Sequence, residues 1–480
     1  MKRRSLVGLL VCLVSLARAE PLPVPPPMPA NYFAEPEGLP FAETIQQEKN
    51  ETGWKWTEFR YTSIVYGGQP IRIHAVYAVP YSASAKNKVP AIVMTHGKFG
   101  EITKIDVRFP TGSEPGKPVN PTAIPGFSGG GFGPPRRTDP RYLDAVRDLV
   151  AAGYAVMYFE WNPDPAIKAG PLAADAPEPS YSTFGTLGFS KDWMQSGNDW
   201  RDSLFYQAMM AGRRAITWVA ARPEVDATRI GATGASYGGI FSSLLAAIDL
   251  RIKAVAPTVY SAGFGIGEPS YNSLSPKQFT PEQVQDWRSR FDSEVLLNRR
   301  SVPLPILYMV GSNDSAFTIT KTARHYQALP EPKQILISPN QGHGFWNFAQ
   351  TIRFFDRELQ HKGTQPKIGP VLLEQAKDGW KFSVKSGTAP VEFFYALEPL
   401  HDMTLRADRR SDPSKWKWEK LAVTAPEPDA QTYATTLSLS AEVHAQTQAL
   451  HVFAHTKNAA GTEAGSALLT LPLVSGDNSH

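Results

Sequence analysis

From Val89 onward the chain alternates short, continuous apolar runs with longer stretches of helical period. Runs of this kind suit strands buried on both faces of a parallel sheet and joined by crossover helices. The predicted strands are Ala91 to Thr95, Ala155 to Glu160, Arg229 to Ala235, Ile252 to Thr258, Ile306 to Gly311 and Gln334 to Ser338. Helical patterns fall at Tyr142 to Ala152, Trp200 to Ala221, Gly239 to Leu250, Thr318 to Leu329 and Trp346 to Leu359. Upstream, Thr57 to Ile64 and Ile71 to Val79 alternate apolar and polar residues around Gly67-Gly68, which predicts a β-hairpin at the sheet's edge.

The period changes at both ends. Residues 20 to 40 carry Pro21, Pro23, Pro25, Pro26, Pro27 and Pro29 and read as an extended lead-in without a core of its own. After Lys362 to Pro366, strand patterns follow one another at Val371 to Gln375, Trp380 to Lys385, Val391 to Ala396, Met403 to Ala407, Tyr433 to Leu439, Ala449 to Thr456 and Ala467 to Leu471. These predict a second, all-β domain at 367–476, a small immunoglobulin-like sandwich, behind an α/β domain at 41–362. Three connections, Lys98 to Arg141, Trp161 to Asp199 and Tyr260 to Pro281, are too long for simple crossovers. Each follows the carboxyl end of a predicted strand, the edge at which open α/β sheets bind ligands, and each is rich in Gly, Pro and aromatic residues.

Composition narrows the setting. Lys2-Arg3-Arg4, an apolar run from Leu6 to Leu16 and Ala17-Arg18-Ala19 form a secretory signal, with cleavage expected after Ala19 and a secreted or periplasmic product. The apolar run is too short for a membrane span, which takes about 20 residues. Cys12 is the one cysteine of the chain, so removal of the signal leaves neither a disulfide nor a thiolate metal site. Lys2, Arg3, Arg4 and Arg18 also account for the formal charge of +4. A mature chain near neutrality gives no electrostatic case for nucleic acid or anionic membrane as partner.

The candidate chemistry lies in Gly234-Ala235-Ser236-Tyr237-Gly238, between a predicted strand and a predicted helix. In that setting G-x-S-x-G is a nucleophile elbow, with glycines where the backbone bends and packs tightly. A serine hydroxyl is a poor nucleophile at neutral pH and needs a histidine base oriented by a carboxylate. Asp314 ends the strand-to-turn run Pro305 to Asp314, and His343 sits between Gly342 and Gly344 after the strand Gln334 to Ser338. The rival acids are Glu160 and Asp164, after an earlier strand. The oxyanion needs backbone N–H donors worth about 3 kcal/mol each. Tyr237 supplies one by position, and Lys98, in Thr95-His96-Gly97-Lys98, is the candidate for the other, with His96 bracing that turn.

From Pro90 to about Gln360 the chain resembles the α/β-hydrolase superfamily, and within it the secreted acetyl xylan esterase and dienelactone hydrolase-like group. Thr95-His96-Gly97, Pro223 to Gly239, Gly311 to Asp314 and Gly342 to Phe345 carry the likeness. It implies Ser236 as nucleophile, His343 as base and Asp314 as orienting acid, in a serine esterase with no metal or organic cofactor. A carbohydrate-borne acyl group is the substrate it suggests first. The elbow is also similar to that of prolyl oligopeptidase-like peptidases, so a serine peptidase is the rival activity, and a binding protein that kept the fold is a third reading.

Overall fold

The computed structural model describes residues 25–97, 140–161, 199–262, 280–344, 347–387, 390–400, 412–423 and 431–473. The α/β part runs β1 (Thr44–Glu51), β2 (Trp54–Tyr66), β3 (Gln69–Pro80), β4 (Val89–Thr95), α1 (Pro140–Ala151), β5 (Ala155–Phe159), α2 (Leu204–Ala220), β6 (Val225–Ala235), α3 (Tyr237–Ile248) and β7 (Ile252–Thr258). It continues through α4 (Pro281–Phe291), α5 (Ser293–Asn298), β8 (Ile306–Gly311), α6 (Ile319–Ala328), β9 (Lys333–Ser338) and α7 (Phe348–Gln360). The remaining elements are β10 (Leu372–Ala376), β11 (Gly379–Lys385), β12 (Val391–Pro399), β13 (Glu419–Leu421), β14 (Thr432–Leu437), α8 (Ala441–Ala445), β15 (Thr447–Lys457), β16 (Glu463–Gly465) and β17 (Leu469–Pro472).

Strands β5, β4, β6, β7, β8 and β9 lie side by side in that order and run parallel. Their continuous apolar runs are explained by two faces that are both covered. Ala91 and Val93 of β4, Met157 of β5 and Tyr308 of β8 enter one core with α2 and α3. The intervening Ile92, Met94, Val156 and Met309 enter the other, beneath Val146 of α1 and Phe354 and Phe355 of α7. Alternation of side chains along each strand thus feeds two apolar layers at once. On the second face Gly231 lets α7 close in, since a Cβ there would stand 2.7 Å from the Phe355 ring. The result is a mixed sheet between two layers of helices. No helix among the described residues is long and apolar enough to cross a membrane.

The predicted hairpin is β2 and β3, antiparallel to each other and docked on β5. It is not the outermost piece, because β1 covers β2 with a largely exposed, polar strand. In the C-terminal part β10, β11 and β14 form a three-stranded sheet, which shares an apolar layer with β12 and β15 through Trp380, Phe382, Phe393, Val452 and Ala454. The sheet that holds β12 and β15 is continuous with the main one, because Gly465 of β16 pairs with Ile335 of β9. A Cβ on Gly465 would lie 2.7 Å from the Ile335 carbonyl oxygen, so the junction needs a glycine. The strand expected at Met403 to Ala407 lies outside the described residues.

The lead-in, in its described part, is tied to the helical layer. Phe33 is buried and stacks on Tyr206. Arg214 donates to the Leu39 carbonyl at 2.9 Å, and Arg299 donates to the Pro26 carbonyl at 2.8 Å. Glu35 receives Arg251 at 3.1 Å and the Thr217 hydroxyl. Glu35→Ala, which strips these half-buried donors of their shared acceptor, is expected to cost about 1–3 kcal/mol. Urea denaturation of the variant against the parent checks this, and an unchanged midpoint would show that the lead-in is held without Glu35.

Candidate active site

Ser236 stands between the end of β6 and the start of α3 with φ 59° and ψ −123°. Non-glycine residues avoid this region at a cost of about 1–3 kcal/mol, and it persists only where the surroundings enforce it. Here they do. The Ser236 amide donates to the Thr258 carbonyl at 2.9 Å, and the Ser236 carbonyl accepts from Ile240 at 3.1 Å. The bend also needs space that side chains would take. A Cβ on Gly238 would lie 2.4 Å from the Thr95 carbonyl oxygen, and one on Gly234 would lie 2.4 Å from the Thr95 hydroxyl. That hydroxyl donates to the Gly238 carbonyl at 2.7 Å, tying β4 to the elbow. Tyr237 is buried and stacks on Trp161, whereas Ser236 keeps partial exposure.

Asp314 and His343 follow β8 and β9 at the same carboxyl edge. His343 Nδ1 lies 2.8 Å from Asp314 Oδ2. The other carboxylate oxygen accepts the amides of Ala316 at 2.8 Å and Phe317 at 2.9 Å, so Asp314 is fully buried yet satisfied on both oxygens. A carboxylate can only accept, so Nδ1 carries a proton, and in the neutral imidazole the lone pair is then on Nε2. Phe317 also lies against the imidazole, with ring centroids 5.8 Å apart and planes 26° off parallel. The acid turn and the histidine loop press together: a Cβ on Gly311 would lie 2.3 Å from the Gln341 carbonyl oxygen. Across that contact the Asn313 amide donates to Gln341 at 2.8 Å, and the Asn340 amide donates to the Ser312 hydroxyl at 2.8 Å.

Asp314 and His343 are thus in contact, and Ser236 shares their edge of the sheet. Among the described residues no hydrogen bond joins the Ser236 hydroxyl to His343. Tyr237 opens α3, where the first N–H groups point out of the helix end rather than along its own ladder. Lys98 lies outside the described residues, as does the rival acid Asp164. The other rival, Glu160, is buried directly after β5, and its amide bonds the His74 carbonyl. The carboxylate that His343 meets is Asp314.

His96 braces its turn. Nδ1 lies 2.6 Å from the Gly97 carbonyl, the Trp161 amide donates to Nε2 at 3.2 Å, and the Trp161 indole donates to the His96 carbonyl at 2.6 Å. Burial pushes its pKa down to about 3, against the pull of the Gly97 hydrogen bond. His325 is likewise held well below its ordinary value by burial. Sequence reasoning missed Trp161, Asn313 and Asn340, which hold the site from behind. Trp161 follows a strand end and Asn313 precedes the acid, but neither position has a pattern that announces its partner.

Residues 177–262, which contain Ser236, match the acetyl xylan esterase (AXE1) family. The chain resembles acetyl xylan esterases. Residues 276–402, which contain Asp314 and His343, match the family of PhoPQ-activated pathogenicity-related proteins. Acetyl esterase Axe7A of Xylanibacter ruminicola is 27% identical over 172 residues, which are 34% of this chain and 38% of that protein. The match therefore spans well under half the length of the relative. Among solved structures, the acetyl xylan esterase from Paenibacillus sp. R4 is 19% identical with a TM-score of 0.45, covering 67% of this chain and 90% of its own. Acetyl xylan esterase 1 from Thermoanaerobacterium sp. JW/SL YS485 is 17% identical with a TM-score of 0.47, covering 69% and 95%.

Two outcomes follow from the site's geometry. Glycine tolerates the backbone of Ser236, so Ser236→Gly should be more stable than Ser236→Ala by about 1 kcal/mol, read by denaturant titration. Alanine equal to glycine would show that the turn is unstrained. A histidine whose folded pKa lies near 3 while its unfolded pKa is about 6.5 binds its proton preferentially in the unfolded chain between those values. Stability should therefore fall as pH drops from about 6.5 toward 3, with His96→Gln flattening that slope in urea titrations across the window.

Proposed function

We propose that this chain is a secreted carboxylic ester hydrolase that works through an acyl-enzyme on Ser236. The observation that carries the reading is the buried Asp314 carboxylate on His343 Nδ1, at the edge of the sheet where Ser236 stands in a strained elbow. In this mechanism the Ser236 hydroxyl attacks the ester carbonyl carbon, and its proton passes to His343 Nε2. Asp314 stabilises the imidazolium so formed. The tetrahedral oxyanion takes the Tyr237 amide, at the positive end of α3, and a second amide from the turn after His96, for which Lys98 is the candidate. Collapse expels the alcohol, which leaves with the proton from Nε2. Water, deprotonated by the same nitrogen, then releases the carboxylic acid and restores Ser236.

The substrate class follows from the resemblance to acetyl xylan esterases and from the aromatic residues of the long connections, because sugar faces stack on aromatic rings. An acetyl group on a carbohydrate hydroxyl, such as acetylated xylan, is the substrate we assign. Export rests on the segment from Lys2 to Ala19. The C-terminal strands are read as a small immunoglobulin-like sandwich, supported by the two sheets that close on one apolar layer.

Acetate release from acetylated xylan and turnover of p-nitrophenyl acetate should both be measurable and should fall by about 10⁴-fold in Ser236→Ala. Fluorophosphonate labelling should disappear in the same variant. Turnover that persists in Ser236→Ala would sink the mechanism, and cleavage of peptide amides in preference to esters would move the chain to the peptidase reading.

A further inference from the structure

Asn340, Gln341 and Gly342, which lead into His343, are exposed on the surface. Burial therefore does not fix residues 340–342, yet a general base has to be held within a fraction of an ångström to act. Besides the hydrogen bonds from the acid turn, the loop is held by a second set from the C-terminal part of the chain. On one side Asn340 forms a two-bond pair with the backbone of Trp418: its Nδ2 donates to the Trp418 carbonyl at 2.9 Å, and its Oδ1 accepts the Trp418 amide at 3.0 Å. Next to it, Asn313 Nδ2 donates to the carbonyls of Ser414 at 2.9 Å and Trp416 at 2.6 Å. The rings of Trp416 and Trp418 are buried in the main core with Phe453 and Leu468, so this segment is a firm support. On the other side of the loop Asn347 Nδ2 donates to Glu463 Oε2 at 2.8 Å. The Glu463 amide donates to Gln350 at 3.0 Å, and Gln350 donates to the Gly461 carbonyl at 2.9 Å.

We infer that the C-terminal part of the chain positions the base: it clamps the His343 loop at both ends, which makes Asn340, Asn313 and Glu463 positioning residues for Asp314 and His343. This rests on the serine esterase reading given above. The two clamps differ in kind. Asn340 has φ 57°, in the left-handed region that asparagine and glycine tolerate, and its amide group imitates one rung of a β-ladder. Glu463 acts as a charged acceptor: burial works against its charge, but His455 and Lys457, each 3.4 Å away, outweigh that and hold its carboxyl below the ordinary range. Neither clamp touches the space in front of Ser236 through any bond described, so its loss should change turnover and leave substrate binding in place.

The experiment uses the full chain with Asn340→Gly, which keeps the backbone conformation and removes the amide, and with Glu463→Ala beside Glu463→Gln, which keeps an acceptor oxygen. On p-nitrophenyl acetate, kcat should fall about tenfold or more in Asn340→Gly and Glu463→Ala with KM within about twofold, while Glu463→Gln recovers most of the loss. Hydrogen exchange of residues 339–347 should speed up in the two impaired variants, with melting temperatures close to the parent. Wild-type kcat in both, or a loss of kcat that tracks melting temperature with no rescue by glutamine, would overturn the inference. If the parent itself shows no turnover that depends on Ser236, the esterase reading falls instead. The exchange rates then decide the clamp alone, faster in the variants supporting it and unchanged opposing it.

Discussion

Backbone meets backbone at the carboxyl edge of the sheet with no side chain between, and the site depends on that approach. Gly238 lies against the carbonyls of Thr95 and His96, and Gly311 against those of Gln341 and Gly342. Each contact leaves less room than a methyl group needs, so β4 sits close to the elbow and β8 close to the histidine loop. The strain at Ser236 is the local cost of the first contact. It is offset by the amide bond to Thr258, by the Thr95 hydroxyl on Gly238 and by the burial of Tyr237 against Trp161. A looser turn would keep the same residues and lose the presentation of the hydroxyl.

Environment, rather than residue type, separates the histidines of this edge. His96 and His325 are fully buried, and desolvation holds both in the neutral form. Neutral His96 is useful as a brace, because a fixed tautomer can face the Gly97 carbonyl with one nitrogen and the Trp161 amide with the other. His343 is half-buried and faces a buried carboxylate, which offsets a positive charge on the ring whenever one forms. Asp314 in turn is kept from swinging by the amides of Ala316 and Phe317. An ionised carboxylate without those partners could not be buried so deeply.

Much of this was legible in the sequence because it rests on periodicity and local chemistry. The runs at Ala91 to Thr95 and Ile306 to Gly311 announce strands covered on two faces, and Gly234 to Gly238 announces the elbow. What was not legible rests on partners distant in the chain. β1, with Thr-Ile-Gln-Gln-Glu-Lys-Asn-Glu, has no apolar face to mark it and forms because an edge of β2 is available. The docking of the lead-in rests on arginines that meet backbone carbonyls, which any residue offers. The merging of the C-terminal strands with the main sheet turns on the single pair of Gly465 and Ile335. Helices α4 and α5 follow the long connection Tyr260 to Pro281, where the sequence pattern marks no helix before the strand at Ile306, although Thr280 and Gln283 form a capping box at the start of α4.

The continuity of the sheet has a geometric consequence for catalysis. β8 and β9 carry the acid and the base, and β16 extends the sheet beyond them, so the flank past His343 is taken up by the strands and turns that hold its loop. An ester carbonyl has to reach Ser236 with His343 on one side and the amide donors on the other. In the proposed mechanism the leaving alcohol departs toward His343, because that residue returns its proton, and the oxyanion faces the Tyr237 amide and the turn after Thr95, where the second amide is sought. The connection that follows Thr95 is long and rich in glycine, proline and aromatic residues, whereas the turns that carry Asp314 and His343 are short. Oxyanion stabilisation and base positioning thereby fall, in this mechanism, to different strands of the catalytic edge, β4 and β6 for the one and β8 and β9 for the other.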